Sequence, residues 1–235
     1  MKTRGMSWES TVPYYRLINE RVQQRLGGLH SAKLILHSVD FHDIEQLQAQ
    51  GAWAQAAQRL SEIAIGLRHA GAEAIVICTN TMHKVADEVE RASQLPVLHI
   101  ADATADSLKQ HGMTRVGLLG TRYTMEQNFY RGRLLERYGI DVIIPQPEQR
   151  DEINRVIYQE LCRGVWSDNS REAFSIIIDQ RAQQGAEGVI LGCTKIPLLV
   201  HQSDTKIPLF DTSHLYAIAA ADYALKNNQL IYINK

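Results

Sequence analysis

The sequence predicts an α/β fold of two pseudo-symmetric halves with mostly parallel sheets flanked by helices, and three observations lead there. Short β-branched runs alternate with long amphipathic stretches, the pattern of βαβ units. An internal repeat aligns Gly71-Ala72-Glu73-Ala74-Ile75-Val76-Ile77-Cys78-Thr79-Asn80 with Gly185-Ala186-Glu187-Gly188-Val189-Ile190-Leu191-Gly192-Cys193-Thr194, and self-similarity of that kind implies two related halves. The match resumes downstream, where Leu95-Pro96-Val97-Leu98 answers Ile207-Pro208-Leu209-Phe210.

Taken in order, the chain opens with Thr3-Arg4-Gly5-Met6, where the second half reads Thr114-Arg115-Val116-Gly117-Leu118-Leu119-Gly120-Thr121. Apolar strand residues are absent between Arg4 and Gly5, so the first strand is expected to be shortened or missing and its neighbour exposed. Strands are expected at Lys33 to Val39, Ala74 to Cys78, Val97 to Ile100, Val116 to Gly120 and Gly188 to Gly192. Apolar and alanine-rich positions at helical spacing predict helices over Trp53 to His69, Asp102 to Gln110, Gln127 to Tyr138, Ile153 to Arg163 and Arg171 to Gln184. Pro96 and Pro208 each stand at the front of a strand, where a missing N–H costs least. The expected organisation is a first half of residues 1–112, joined by the chain end at 208–235, and a second half of residues 113–207.

Composition narrows the function. A formal net charge of −1, with Lys and Arg scattered, offers no electrostatic footprint for nucleic acid or an anionic membrane. Met1 to Trp8 lack the apolar core of a signal peptide, and no stretch approaches the roughly 20 apolar residues of a membrane span. A cytoplasmic protein with a small-molecule ligand is expected. Cys78, Cys162 and Cys193 cannot pair completely and are too widely spaced for a zinc knuckle, so each is read as a free thiol. The histidines show no metal-ligand spacing, and no metal is expected.

In open α/β sheets ligands bind beyond the carboxyl ends of strands. Three such ends stand out: Cys78-Thr79-Asn80-Thr81, leading into a helical pattern near Met82; Gly120-Thr121-Arg122-Tyr123-Thr124; and Gly192-Cys193-Thr194. Backbone N–H groups, hydroxyls and the Asn80 amide there suit a small carboxylate. Each loop alone reads equally well as an ordinary helix cap. The repeat register aligns Cys193 with Thr79 and Cys78 with Gly192. Neighbouring strand residues face opposite ways, so Thr79, not Cys78, is the counterpart of Cys193. Cys78 and Cys162 are better read as small buried hydrophobes, and His83 as either a proton relay or a solvated helix residue.

These residues resemble a family. Gly5-Met6-Ser7-Trp8-Glu9-Ser10-Thr11, Tyr14-Tyr15, Thr79-Asn80-Thr81-Met82-His83 and Gly192-Cys193-Thr194, in that order, are similar to the motifs of the aspartate/glutamate racemases, above all the bacterial L-aspartate/glutamate-specific and broad-specificity amino-acid racemase subgroup. The resemblance implies an active site between the two halves, commonly in a homodimer, and an amino-acid substrate racemised with neither pyridoxal phosphate nor metal. It implies Cys193 as the cysteine that relatives use on the L-isomer, and Thr79 at the position of their other cysteine. Met6 and Ser7, from the loop that relatives use around the substrate, join Asn80, Thr81, Thr121, Thr124 and Thr194 of the strand-end loops as the expected substrate-binding residues. Gln48 stands near the position where acidic-substrate relatives place an arginine, and a neutral amide grips a carboxylate less firmly, which implies broad specificity.

The implied chemistry makes sense of the repeat. Inverting an α-carbon requires a base on one face and an acid on the other, so two similar halves supply two opposed residues. Thiols suit both tasks because their reference pKa of about 8.5 is readily lowered by positive charge. Three features depart from the family pattern: Thr79, which the L-specific subgroup shares; Lys195, where the family's Gly-Cys-Thr-Glu has a glutamate; and the abbreviated start that feeds Met6 and Ser7. A single site cysteine is also compatible with decarboxylases of the wider superfamily, and the departures with a protein that only binds small carboxylates.

Overall fold

A computed structural model describes residues 8–233. The abbreviated opening, with the expected first strand, Met6 and Ser7, lies outside the described residues. The chain divides into two units: the first takes in the described part of Met1–Cys78, Val85–His99 and His214–Lys235, the second Thr79–Lys84 and Ile100–Ser213.

In the first unit, helices α1 (Trp8–Leu26), α2 (Phe41–Ala49), α3 (Trp53–His69), α4 (Ala86–Ser93) and most of α10 (Thr212–Ile233) accompany a two-stranded parallel sheet of β1 (Ile75–Val76) and β2 (Val97–Leu98). Helix α3 spans the predicted residues because Ala56, Ala57, Leu60 and Ala64 form one buried stripe. It ends where Ala70 N–H returns to the Gly66 carbonyl, followed by Gly71 at φ +93°, a conformation that favours glycine. Tyr216 on α10 ties both strand ends together. Its hydroxyl accepts the Ile77 N–H (3.2 Å) and donates to the Leu98 carbonyl, while its ring meets Tyr14 edge-on at 6.0 Å. Arg21 of α1 forks onto Asp222 of α10 (3.0 and 2.8 Å), and Val22, Ala221 and Leu225 pack beneath it with Ile18 and Ala32.

The expected strand at Lys33 to Val39 does not form. That segment belongs to no sheet among the described residues, and Leu34, Ile35 and Leu36 are 37%, 48% and 55% exposed. β-Branched and apolar character becomes a strand only where a neighbouring ladder takes up the N–H and C=O groups. Among the described residues β1 ladders with β2 alone.

The second unit carries a four-stranded, all-parallel sheet in the order β4-β3-β5-β6: β3 Arg115–Gly120, β4 Asp141–Ile143, β5 Val189–Gly192 and β6 Leu209–Asp211. Val116, Leu118 and Leu119 of β3 and Val189, Ile190 and Leu191 of β5 are buried, as in central parallel strands with both faces covered. The covering helices are α5 (Ile100–Gln110), α6 (Arg122–Glu126), α7 (Asn128–Tyr138), α8 (Pro147–Gln159) and α9 (Asp168–Gln183). Helix α8 starts earlier than its apolar pattern suggests, because Pro147 presets the first turn and Gln146 with Gln149 forms a reciprocal cap. Arg181 of α9 is buried, its guanidinium donating to the Ile144 carbonyl (2.7 Å) and Gln149 Oε1 (3.2 Å), and its stem lies against Gly117.

Replacing Tyr216 with Phe keeps the ring and removes the hydroxyl, leaving Ile77 N–H and Leu98 C=O without that partner. Urea unfolding is expected to show a loss of about 1–3 kcal/mol with an unchanged slope.

Candidate active site at the strand ends of the second unit

Strands β3 and β5 pair Gly120 with Gly192 at their carboxyl ends. A Cβ on Gly120 would lie 2.9 Å from the Gly192 carbonyl oxygen. One on Gly192 would lie 2.7 Å from Leu118 Cδ1 and 3.1 Å from the Leu119 carbonyl oxygen. Thr124 also packs on both glycines. The missing side chains therefore let the first turn of α6 settle onto the two strand ends. Beyond this pair the chain delivers Thr121 and Cys193, and the adjacent β6 delivers Thr212.

Three threonine hydroxyls form a buried chain. Thr121 caps α6, its oxygen accepting the Thr124 N–H (3.3 Å) while sharing hydrogen bonds with the Thr124 hydroxyl (3.1 Å) and the Thr81 hydroxyl (3.2 Å). Thr81 lies on the segment entering from β1, so this link joins two of the sequence-identified loops. The third is joined through Asn80. Its Nδ2 donates to Thr212 Oγ1 (3.1 Å), which donates to the Leu191 carbonyl (2.9 Å).

That chain fixes the amide. The Leu191 carbonyl can only accept, so it takes the Thr212 proton, and Thr212 must in turn accept from Asn80. Asn80 Oδ1 is left buried with no hydrogen-bond partner. The remaining atom is an acceptor, suited to an ammonium rather than to the carboxylate expected of this side chain. Ser213 Oγ is likewise buried without a hydrogen bond.

The expected helix near Met82 begins as a 3-10 turn, Thr81–Val85, and α4 starts only at Ala86. His83 is buried, which removes the solvated reading. Its Nδ1–H donates to the Thr79 carbonyl (2.8 Å), a group that can only accept, so the ring carries its proton on Nδ1 in this contact. Lys84 donates to Gln127 Oε1 (2.7 Å), and burial lowers its pKa from the ordinary lysine value.

The cysteines differ. Burial pushes the Cys78 thiol up to about 12, yet Cys78 is half-buried rather than fully buried. Burial also raises Cys193, but there the backbone N–H groups of Lys195 and Ile196 and the Lys195 charge pull the other way. Cys193 and Thr194 are half-buried, Lys195 is buried, and Ile196 N–H also donates to the Cys193 carbonyl (3.1 Å). Cys162 sits in the 3-10 turn Leu161–Arg163. Gln48 is buried on α2, in the first unit, rather than in a loop. Thr79, Asn80, Thr81, Thr121, Thr124, Cys193 and Thr194 all belong to the second unit. The sequence reading missed Thr212 and Lys84; the only signal for Thr212 was its place just beyond the second Pro-led strand of the repeat.

Comparison with known proteins gives a consistent picture. The family model for Asp/Glu/hydantoin racemases matches residues 4–220. A crystal structure described as a candidate Asp/Glu racemase from Yersinia pestis is 62% identical, covering 95% of this chain and 97% of its own, with a TM-score of 0.89. That of an aspartate racemase homologue from Pyrococcus horikoshii OT3 is 34% identical, covering 94% and 100%, with a TM-score of 0.78. The broad-specificity amino-acid racemase RacX of Bacillus subtilis is 24% identical over 153 residues, which span 64% of this chain and 64% of that relative.

Gly192→Ala is expected to cost about 1–3 kcal/mol by overpacking. Gly66→Ala, in the interior of α3 with nothing within 4 Å of the added methyl, should stabilise by about 0.5–1 kcal/mol. Denaturant unfolding of the pair checks both signs at once.

Proposed function

Because the chain belongs to the Asp/Glu/hydantoin racemase family, we propose that it inverts the α-carbon of aspartate, glutamate or a related amino acid by cofactor-independent proton transfer, with Cys193 as base on the L-isomer. What supports this reading is the place of Cys193, half-buried just beyond β5 in the same unit as the linked hydroxyls of Thr81, Thr121 and Thr124 and two residues before the buried Lys195. In the forward step the Cys193 thiolate takes the α-proton. The C–H bond breaks, an S–H bond forms, and the electron pair moves onto the α-carboxylate as an enediolate. The hydroxyls of Thr81, Thr121, Thr124 and Thr194 are the proposed donors to that charge, and Asn80 Oδ1 the proposed acceptor for the α-ammonium. Delivery of a proton to the opposite face falls to Thr79, directly or through water.

Residues 79–84, 120–124 and 192–196 contain no aspartate or glutamate but include Lys84, Arg122 and Lys195, a composition that favours an acidic substrate. The working form is proposed to be a homodimer.

Thr79 shapes the kinetics. A threonine alkoxide is not accessible near neutral pH, so proton return on its face is slow compared with exchange at Cys193. The enantiomers have equal free energy, so kcat/KM for simple racemisation must be equal in the two directions. The asymmetry therefore appears as α-proton exchange from the L-isomer that outruns inversion.

In D₂O, L-aspartate or L-glutamate is expected to lose its α-proton signal faster than chiral chromatography detects inversion. Cys193→Ala should slow exchange by about 10²-fold or more. Equal exchange and inversion rates from the first turnover would refute the asymmetry, and absence of exchange with a folded wild-type protein would refute the reaction. Thr79→Cys should raise the ratio of inversion to exchange. The base must be deprotonated and burial raises its pKa, so kcat/KM for exchange should climb as pH rises through neutrality.

A further inference from the structure

A 3-10 turn closes every three residues, so the turn Thr81–Val85 sets the side chains of Thr81 and Lys84 over one face. Between them, Met82 is buried in the core and His83 turns back to the Thr79 carbonyl. The shared face runs along α6. The Thr81 hydroxyl meets that of Thr121, the N-cap of α6 (3.2 Å), and Lys84 Nζ donates to Oε1 of Gln127, the C-cap of the same helix (2.7 Å). All of these residues belong to the second unit.

The two contacts stand at opposite ends of a short helix. From Thr121 to Gln127 a rise of about 1.5 Å per residue amounts to roughly 9 Å. One end carries the hydroxyls, with Thr124 packed on Gly192 just before Cys193; the other carries an ammonium. Charge-assisted hydrogen bonds of about 2.8 Å at each end leave roughly 3–4 Å between them, about the gap between the two carboxylates of a short acidic amino acid. Gln127 is a neutral amide and holds the ammonium without cancelling its charge. Its acidic neighbour Glu126 is engaged by Arg150 (2.9 Å), and Asp151 by Arg122. Burial lowers the Lys84 pKa, a penalty on its charge that a ligand carboxylate would offset.

We propose that Lys84 is a specificity-determining residue, the cation that takes the side-chain carboxylate of an acidic amino acid whose α-carboxylate lies on the hydroxyls of Thr81, Thr121 and Thr124. This rests on the reading of the site as that of an amino-acid racemase and deepens it. Gln127 aims the ammonium, and the span from hydroxyls to ammonium selects a dicarboxylate over its neutral amide.

The test is titration calorimetry of the full-length protein with L-aspartate against L-asparagine and L-glutamate against L-glutamine, pairs that differ by one charge and little in shape. Wild-type protein should bind the acid of at least one pair about tenfold or more tighter than its amide. Lys84→Met should weaken that acid by about ten- to hundredfold and the amide by less than about twofold. Gln127→Glu keeps the contact to Lys84 but sets a carboxylate against the ammonium, and the same selective loss is expected. Lys84→Arg should keep most of the preference. Circular dichroism and thermal melting establish folding first, with Lys84→Gln replacing Met should the latter fail to fold. Equal losses for acid and amide, an unchanged acid affinity in folded Gln127→Glu, or a wild-type protein that does not prefer the acid each overturn the proposal. Calorimetry needs no turnover, so the two readings fail separately. Selective loss in a protein without α-proton exchange supports Lys84 and defeats the racemase reading, whereas exchange by a wild type whose acid preference survives Lys84→Met defeats Lys84 alone.

Discussion

The close approach of two backbones at Gly120 and Gly192 is the constraint on which the site depends. Side chains at either position would push Thr124, and α6 with it, off the strand ends. That would disturb the Thr121 cap on α6 and its link to the Thr124 hydroxyl. Burial of β3 and β5 on both faces makes this end of the sheet stiff, because close-packed interiors transmit a displacement rather than absorb it.

The two copies of the repeat show how one register can serve opposite ends. A Cβ at position 192 would crowd Leu118 and the Leu119 carbonyl, while its counterpart in the first copy is Cys78, a thiol pushed to about 12 by burial. The next position carries Cys193 in one copy and Thr79 in the other. Alternation along a strand places successive side chains on opposite sides, so sulfur stands one position apart in the two copies.

How much of this was legible follows from the range of the interactions involved. Helix α3 and strands β3 and β5 could be read because local pattern and burial agree there: Ala56, Leu60 and Ala64 repeat at helical spacing, and the β3 and β5 runs are apolar throughout. Lys33 to Val39 has the same local character but lacks a laddering partner among the described residues, and no local pattern reports that. Cys193 and Asn80 are candidates that the repeat and the family's motifs single out, and Thr121 one that its place at a strand end singles out. The orientation of Asn80 is not legible there, because it depends on a carbonyl of Leu191 reached through Thr212, more than a hundred residues away in sequence. The 3-10 turn after Thr79 also escaped, since the sequence pattern from Met82 onward is that of an ordinary helix.

The unladdered stretch around Leu34, Ile35 and Leu36 also bears on how the protein would be degraded. A protease must lay its substrate out as a single strand before it can cut, and most native chains resist because that costs local unfolding. Here the chain between α1 and α2 is already outside any ladder among the described residues, with Leu34, Ile35 and Leu36 exposed. Scission there removes no hydrogen-bonded ladder. Helix α1 would remain fastened by the Arg21–Asp222 fork and by Val22 against Ala221 and Leu225. A cut at this point therefore requires less local unfolding than one within a ladder or helix, and it falls in the first unit, away in sequence from the strand ends of the second.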